Sequence, residues 1–211
     1  MTVLYYCYFD KRLTDLKFDF FMKLLPEKLQ KRIGRFKRWE DAHACLYGRL
    51  LLMRALETFK ADVTLEDIRY SQYNRPYIDI EGIDFNISHA GCYVLCTITD
   101  RGKIGVDVEE IKYISIDDFK NQFTPKEWDC LVDSENELRV FYEIWTKKEA
   151  IVKADGRGLN IPLLNVETSG NPVSVASHQF YLSSVDLSDD YQVHMATSYV
   201  PEGIQIMRYE M

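Results

Sequence analysis

Apolar residues recur at two periods along this chain, and the two periods follow one another in the same order twice. A dense aromatic and aliphatic run predicts a strand over Val3–Phe9. Helical spacing then predicts helices over Asp15–Leu25 and Glu27–Arg35, and a long one from about Trp39 to Phe59. Short alternating segments follow at Ile68–Gln72, Tyr77–Ile80, Phe85–Ser88 and Tyr93–Thr99 and read as strands. Ile104–Glu109 opens a second succession. Helices are expected at Ile116–Gln122, Pro125–Val132 and Glu137–Ala154, and strands near Val166, Phe180, Val193 and Ile204.

The two successions align. Pro26 and Pro125 each open a helix at a position where a missing N–H is tolerated. Tyr47 and Trp145 sit mid-way along the two long helices, and Tyr93 and Tyr191 begin the alternating runs YVLCTIT and YQVHMAT. The expected fold is therefore α+β, built by internal duplication. Two similar halves, 1–102 and 103–211, each place a long helix on a small, mostly antiparallel sheet to form a pseudodimer. Such a chain should be monomeric, because the duplication supplies the interface that separate subunits would otherwise form.

Composition narrows the class without naming it. The 211 residues are 46% hydrophobic and 28% charged, with a formal net charge of −7. The acidic balance argues against general nucleic-acid binding. No apolar run approaches the length of a membrane span. Met1 to Phe9 lacks a basic leader and a small-residue cleavage site, so it reads as a strand and the protein is expected in the cytoplasm. Five Cys without a CxxC pair fit neither a disulfide framework nor a zinc site. One local exception stands out: from Lys23 to Arg38 seven basic residues face Glu27 alone. This stretch reads either as a solvated helix face or as a surface for a polyanion or an acidic partner.

Three segments carry candidate chemistry. In Ile104-Gly105-Val106-Asp107-Val108-Glu109, strand alternation sends Ile104, Val106 and Val108 to the core and Gly105, Asp107 and Glu109 to the opposite face. Two carboxylates on one face repel unless a cation or water lies between them. Hard oxygen ligands point to Mg²⁺ rather than zinc, and Gly105 would leave room for a bulky ligand. An ordinary edge strand with solvated acids is the alternative. In the helix ending at Gly156, Trp145, Glu149 and Lys153 recur at helical spacing, placing an aromatic, a carboxylate and an ammonium on one stripe. In Phe85-Asn86-Ile87-Ser88-His89-Ala90-Gly91, Ser88 and His89 suit a phosphate at a strand end, and no acid is placed to build a catalytic triad.

Taken in order, FNISHA, GVDVE and WTKKEAIVKADGRGL resemble the signature motifs of the 4′-phosphopantetheinyl transferases, in particular the surfactin-synthetase-activating type whose single chain is a pseudodimer. Glu40–His43 and Asn74-Arg75-Pro76 match further family positions, so the resemblance runs from about Pro26 to Pro162. It implies a holo-[acyl-carrier-protein] synthase activity, in which the 4′-phosphopantetheine arm of coenzyme A moves to a serine of an apo acyl or peptidyl carrier protein and 3′,5′-ADP leaves. It also implies that Asp107, Glu109 and Glu149 bind Mg²⁺ and that Lys153 contacts the pyrophosphate, with Lys148 as a weaker candidate. Glu149 and Lys153 would be the catalytic pair. Lys28, Lys31, Ser88 and His89 would surround the 3′-phosphate, and Arg75 and Pro76 would lie near the adenine. The family loop is commonly Gly-Lys-Pro, so Asn74-Arg75-Pro76 keeps the charge but changes its geometry. A magnesium-dependent phosphodiesterase and a non-catalytic coenzyme A or carrier-binding module are the alternative readings of the same residues.

Overall fold

The first strand, β1 (Thr2–Tyr8), is covered on both faces, which explains its nearly unbroken apolar run. Val3, Tyr5 and Cys7 pack toward the long helix of their own half, while Leu4 and Tyr6 join residues of the second half. The computed structural model describes residues 1–210, Leu159 by its backbone only. After β1 come α1 (Asp15–Met22), α2 (Glu27–Ile33) and α3 (Trp39–Thr58), then the short pair β2 (Arg69–Tyr70) and β3 (Pro76–Tyr77), then β4 (Asp84–Ala90) and β5 (Tyr93–Thr99). The second half runs β6 (Ile104–Glu110), a 3₁₀ stretch at Ile116–Gln122, α4 (Pro125–Val132), α5 (Glu137–Asp155), β7 (Val173–Val175), β8 (His178–Ser184), β9 (Tyr191–Thr197) and β10 (Gln205–Arg208).

The duplication is visible in the topology. One sheet has the order β10-β1-β5-β4 and the other β6-β9-β8-β7. In each, the first strand of the half pairs antiparallel with its last long strand, which pairs antiparallel with the strand before it. The inner faces of the sheets meet through Leu4 and Leu95 from one half and Val106, Val193 and Met195 from the other, all at most 2% exposed. The long helices α3 and α5 cover the outer faces.

Three expectations change. Val166 is not in a strand: Leu163–Asn165 forms a 3₁₀ turn, and the strand of that region is β7. The backbone carbonyls there are needed by a buried lysine described below. The strand expected near Ile204 begins at Gln205 and leaves its own half, pairing parallel with β1 at the edge of the first sheet. The segment Ile116–Gln122 winds as 3₁₀ and not α.

Helix ends are fixed by specific groups. Asn136 caps α5 by accepting from the Arg139 N–H at 3.1 Å, and Gly156 ends it at φ +91°, a conformation that Gly adopts without strain. Gly105 is where α5 touches β6: a Cβ there would stand 2.1 Å from the Ala150 carbonyl oxygen. The room expected beside Gly105 for a ligand is thus taken by helix backbone.

A buried histidine ties α5 to β9. The Thr146 hydroxyl donates to the Tyr142 carbonyl at 2.7 Å and so accepts from His194 Nδ1 at 2.8 Å. Burial, and then the nearby Lys147 ammonium, push the His194 pKa down to about 4. Because the folded pKa lies below the unfolded value, the stabilisation is complete above about pH 6.5 and is lost as the pH falls toward 4. Between pH 7 and pH 5 the wild type should lose about 2 kcal/mol more than His194→Asn in urea unfolding. The acids whose pKa values are raised act with opposite sign and are common to both proteins. Parallel pH profiles for the two would rule out the assignment.

Candidate active site

The site lies at the seam between the halves, where β4 runs beside β6 without a backbone ladder. Side chains of β4 take its place. Asp84 Oδ2 accepts from the Ile104 N–H at 2.9 Å, Asn86 Oδ1 accepts from the Val106 N–H at 3.1 Å, and Ser88 Oγ donates to Asp107 Oδ1 at 3.1 Å. These are alternate residues of one strand meeting β6, so a single register fixes all three. The same alternation places Ile104, Val106 and Val108 in the core and Asp107 toward α5.

Lys153, in the last turn of α5, completes a triangle. Its ammonium donates to Ser88 Oγ at 2.9 Å and to Asp107 Oδ1 at 2.5 Å. Asp107 is only 3% exposed, and its second oxygen, Oδ2, is buried with no hydrogen-bond partner. Burial raises the Asp107 pKa, while Lys153, Ser88 and the Val108 N–H oppose the rise. Glu109 is pushed up to about 7, first by burial and then by the Asp107 charge, with Glu149 adding to it; the Lys153 charge and a hydrogen bond from Trp145 work the other way. Glu149 is raised by burial and by Asp107, against Lys153. The solvated-acid reading of this strand is therefore excluded for Asp107.

The Asp107 charge thus raises the pKa values of both Glu109 and Glu149, and Glu149 adds to the rise at Glu109. Among the described residues, however, no three His, Cys, Asp or Glu side chains converge as they would around a bound ion, and the Lys153 ammonium takes up the charge of Asp107. An all-oxygen donor set, an orphaned buried carboxylate oxygen and mutual repulsion among three acids fit a hard divalent cation.

Beside this cluster a cleft of about 370 Å³ opens between α3, β4 and the segment joining β2 to β3. Asn74 and Pro76 line it, with His89 and Asn86 from β4, Arg32 from α2 and Arg49 from α3. Neither Lys28 nor Lys31 is part of its lining; both are exposed, and Lys31 pairs with Glu27 at 2.6 Å.

Two expected ligand contacts are corrected. Lys148 is fully buried on the other side of α5. Its ammonium donates to Leu163 O at 2.9 Å and Val166 O at 2.6 Å, and it lies 2.7 Å from Glu127 Oε2. It holds α4 and the 163–166 turn against α5 and is not available to a pyrophosphate. Arg75 also points inward. It forms a two-pronged pair with Asp84 at 2.8 and 2.7 Å and donates to Lys153 O at 3.0 Å and Ile104 O at 3.1 Å. It fastens the end of α5 and the start of β6 to β4, so only its neighbours Asn74 and Pro76 reach the cleft.

Sequence reasoning missed Asp84, Asn86 and Arg49, whereas Arg32 belongs to the basic stretch Lys23–Arg38 that it singled out. The first two carried a usable signal, since Asp84, Asn86 and Ser88 alternate as polar residues along a strand that would otherwise be buried on that face. His43, in the Glu40–His43 segment, is structural: it donates from Nδ1 to Trp39 O at 2.8 Å and accepts from the Leu13 N–H at 3.0 Å.

Two equivalent α+β halves, a carboxylate–lysine cluster at their seam and an adjoining cleft that holds arginines define a two-half enzyme acting on a phosphorylated substrate. A family model described as the 4′-phosphopantetheinyl transferase superfamily matches residues 103–201, and one described as 4′-phosphopantetheinyl transferase, N-terminal, matches residues 12–99. The chain is 33% identical over 193 residues to 4′-phosphopantetheinyl transferase Sfp of Bacillus subtilis (strain 168), covering 89% of this chain and 82% of the relative. A second 4′-phosphopantetheinyl transferase of Bacillus subtilis is 28% identical over 221 residues, 98% of each chain. The L-aminoadipate-semialdehyde dehydrogenase-phosphopantetheinyl transferase of Mus musculus is 29% identical over 178 residues, covering 76% of this chain and 57% of the relative. The chain belongs to the 4′-phosphopantetheinyl transferase superfamily, in its two-half form.

Proposed function

We propose that this enzyme transfers the 4′-phosphopantetheine moiety of coenzyme A to a serine of an apo acyl or peptidyl carrier protein, releasing 3′,5′-ADP. The observation that carries the reading is the Lys153–Ser88–Asp107 triangle. It has an orphaned carboxylate oxygen, is flanked by Glu109 and Glu149, and lies beside a cleft suited to a phosphorylated nucleotide. Asp107, Glu109 and Glu149 would hold Mg²⁺, which when bound offsets the negative charge of the pyrophosphate.

The chain's own residues then divide the work. The cleft residues Asn74, Pro76 and His89 hold and orient the nucleotide, and Ser88 anchors the Lys153 ammonium. The carrier serine oxygen forms a bond to the phosphorus that bears pantetheine, and the bond from that phosphorus to the 3′,5′-ADP oxygen breaks. The serine proton passes to Glu149, whose carboxyl burial and Asp107 make more basic than a solvated glutamate. Lys153 offsets charge on the departing pyrophosphate oxygen.

Lys28 and Lys31 are exposed on α2, the helix whose Arg32 lines the cleft. In this reading they attract the acidic carrier as well as the coenzyme. The enzyme acts as a monomer in the cytoplasm. Mass spectrometry of a panel of apo-carriers incubated with coenzyme A and Mg²⁺ tests the reading. A carrier that gains one phosphopantetheine group on serine, with one 3′,5′-ADP released, is the expected result. Release of 3′,5′-ADP without any carrier would instead indicate a phosphodiesterase, and nucleotide binding with no turnover on any carrier would indicate a binding module.

A further inference from the structure

The duplication gives this protein two equivalent clefts. The interval that separates Tyr93 from Tyr191 also separates Asp41 from Arg139, Cys45 from Glu143 and Arg49 from Lys147. The first member of each of these three pairs stands on α3 and lines the cleft beside the active-site cluster. The second stands on α5 and lines a separate cleft of about 460 Å³ against β8 and β9. Ile87 and Ser184 are counterparts in the same way, one pairing with Cys96 and the other with His194. The second cleft faces away from the chemistry. At about 100° per residue, Lys147 and Glu149 diverge by roughly 160° around α5.

The two clefts share position but not composition. Beneath the second, β9 carries Gln192 and His194 where β5 has the fully buried Val94 and Cys96. Gln192 is 8% exposed and His194 3%. His194 Nδ1 is bonded to Thr146. Its Nε2 and both polar atoms of the Gln192 amide have no hydrogen-bond partner among the described residues, and they open onto the cleft. Buried polar groups of a native fold are ordinarily paired. The opposite wall does not pair them, because its own groups are already engaged. Thr168 donates twice to Glu127, and the Asn171 amide bonds both ways with the Leu182 backbone.

The free groups define what fits. The His194 ring is kept neutral by burial and by Lys147, so its Nε2 offers a lone pair to a donor. Gln192 adds an acceptor and a donor, and Glu143, paired with Lys147 at 2.5 Å, adds a further acceptor. Several acceptors side by side call for several hydroxyls. Arg139 and Lys147 outnumber Glu143 on the α5 wall, so the same ligand carries negative charge. Leu182 is the one large apolar residue of the lining, which leaves no flat surface for a nucleobase. We infer that this second cleft binds a small hydroxylated anion, a sugar or polyol phosphate, with its phosphate on Arg139 and Lys147 and a hydroxyl donating to His194 Nε2. No residue of its lining belongs to the coenzyme cleft or to the carboxylate cluster, so it stands apart from the coenzyme A reading.

The test is NMR of the full-length protein labelled with ¹⁵N-histidine and titrated with ribose 5-phosphate. Four histidines give few signals, and His194→Asn identifies the one that matters. The His194 Nε2 resonance should move upfield as the lone pair accepts a hydrogen bond, saturating with a Kd of about 1 mM or tighter. Ribose alone and inorganic phosphate alone should each bind at least about tenfold more weakly, since each keeps only part of the contacts. Lys147→Met should weaken ribose 5-phosphate by about tenfold or more, the scale of a lost charge-assisted hydrogen bond. Gln192→Ala repeats the comparison should the Met variant fold poorly. Saturating coenzyme A should leave the titration unchanged.

Absence of a saturable shift at tens of millimolar ribose 5-phosphate overturns the inference. So does inorganic phosphate that binds as tightly as the sugar phosphate, because the hydroxyl contacts would then contribute nothing. Wild-type affinity in both Lys147→Met and Gln192→Ala overturns it as well. Competition by coenzyme A would place the probe in the other cleft and overturn the second site. Carrier modification by the same preparation reports on the proposed function separately: a protein that modifies a carrier and shows no His194 shift refutes only the second site.

Discussion

Glu149→Gln should lower the rate of carrier modification by about 10²-fold or more, the usual scale for loss of a general base. Gln keeps the length and helix propensity of Glu, so α5 and the neighbouring Lys153 stay in place. What changes is charge and basicity. Burial and Asp107 raise the pKa of the Glu149 carboxyl, so its ionised form is a stronger base than a solvated glutamate. Magnesium titration separates its two possible contributions. If Glu149 only helps hold the ion, raising Mg²⁺ should recover much of the rate. If it also takes the serine proton, coenzyme A binding should recover with Mg²⁺ while the rate stays low. Initial rates of holo-carrier formation and coenzyme A affinity, both measured across a range of Mg²⁺, distinguish these outcomes. Turnover near wild type at ordinary Mg²⁺ would sink both roles.

The largest loss of stability should come from Glu127→Ala, some distance from the chemistry. Glu127 is buried at 2% exposure and serves four groups. Its Oε2 accepts from the Thr124 N–H and faces the Lys148 ammonium, and its Oε1 accepts from the Thr168 N–H at 2.9 Å and hydroxyl at 2.8 Å. Removing it leaves a fully buried ammonium without its paired carboxylate and breaks the capping box of α4. A cost of about 3–5 kcal/mol is expected, which in a chain of this size lowers the thermal midpoint by on the order of 10 °C. The double variant Glu127→Gln/Lys148→Met removes both charges and should recover more than half of that loss. Calorimetry of the two variants decides the matter. A midpoint within 2 °C of wild type for Glu127→Ala would show that the pair contributes nothing net.

Much of the site was legible because it depends on short-range spacing. Strand alternation put Asp107 and Glu109 opposite Ile104, Val106 and Val108, and the structure keeps that division. Helical spacing put Trp145, Glu149 and Lys153 on one stripe. The same geometry could also have separated the two lysines: five residues apart, Lys148 and Lys153 diverge by roughly 140° around the helix, so they cannot serve the same face. The duplication was readable too, since Tyr93 and Tyr191 begin β5 and β9, equivalent central strands of the two sheets.

What the sequence by itself determined was the order of elements, the duplicated α+β plan, and the strand and helix stripes that bear the acids and Lys153. The tertiary structure alone decided which charges face ligand and which face each other. Arg75 looked like a ligand contact until Asp84 and the ends of α5 and β6 closed on it, and Lys148 until α4 brought Glu127 to it. Arg49 had no mark in the sequence, because its exposure to a cleft depends on β4 and the Asn74–Pro76 segment packing across α3. The physical reason is common to all three. Periodicity fixes the direction of a side chain within its own element, whereas a buried charge is matched or left unmatched by residues tens of positions away, and no local pattern records that choice.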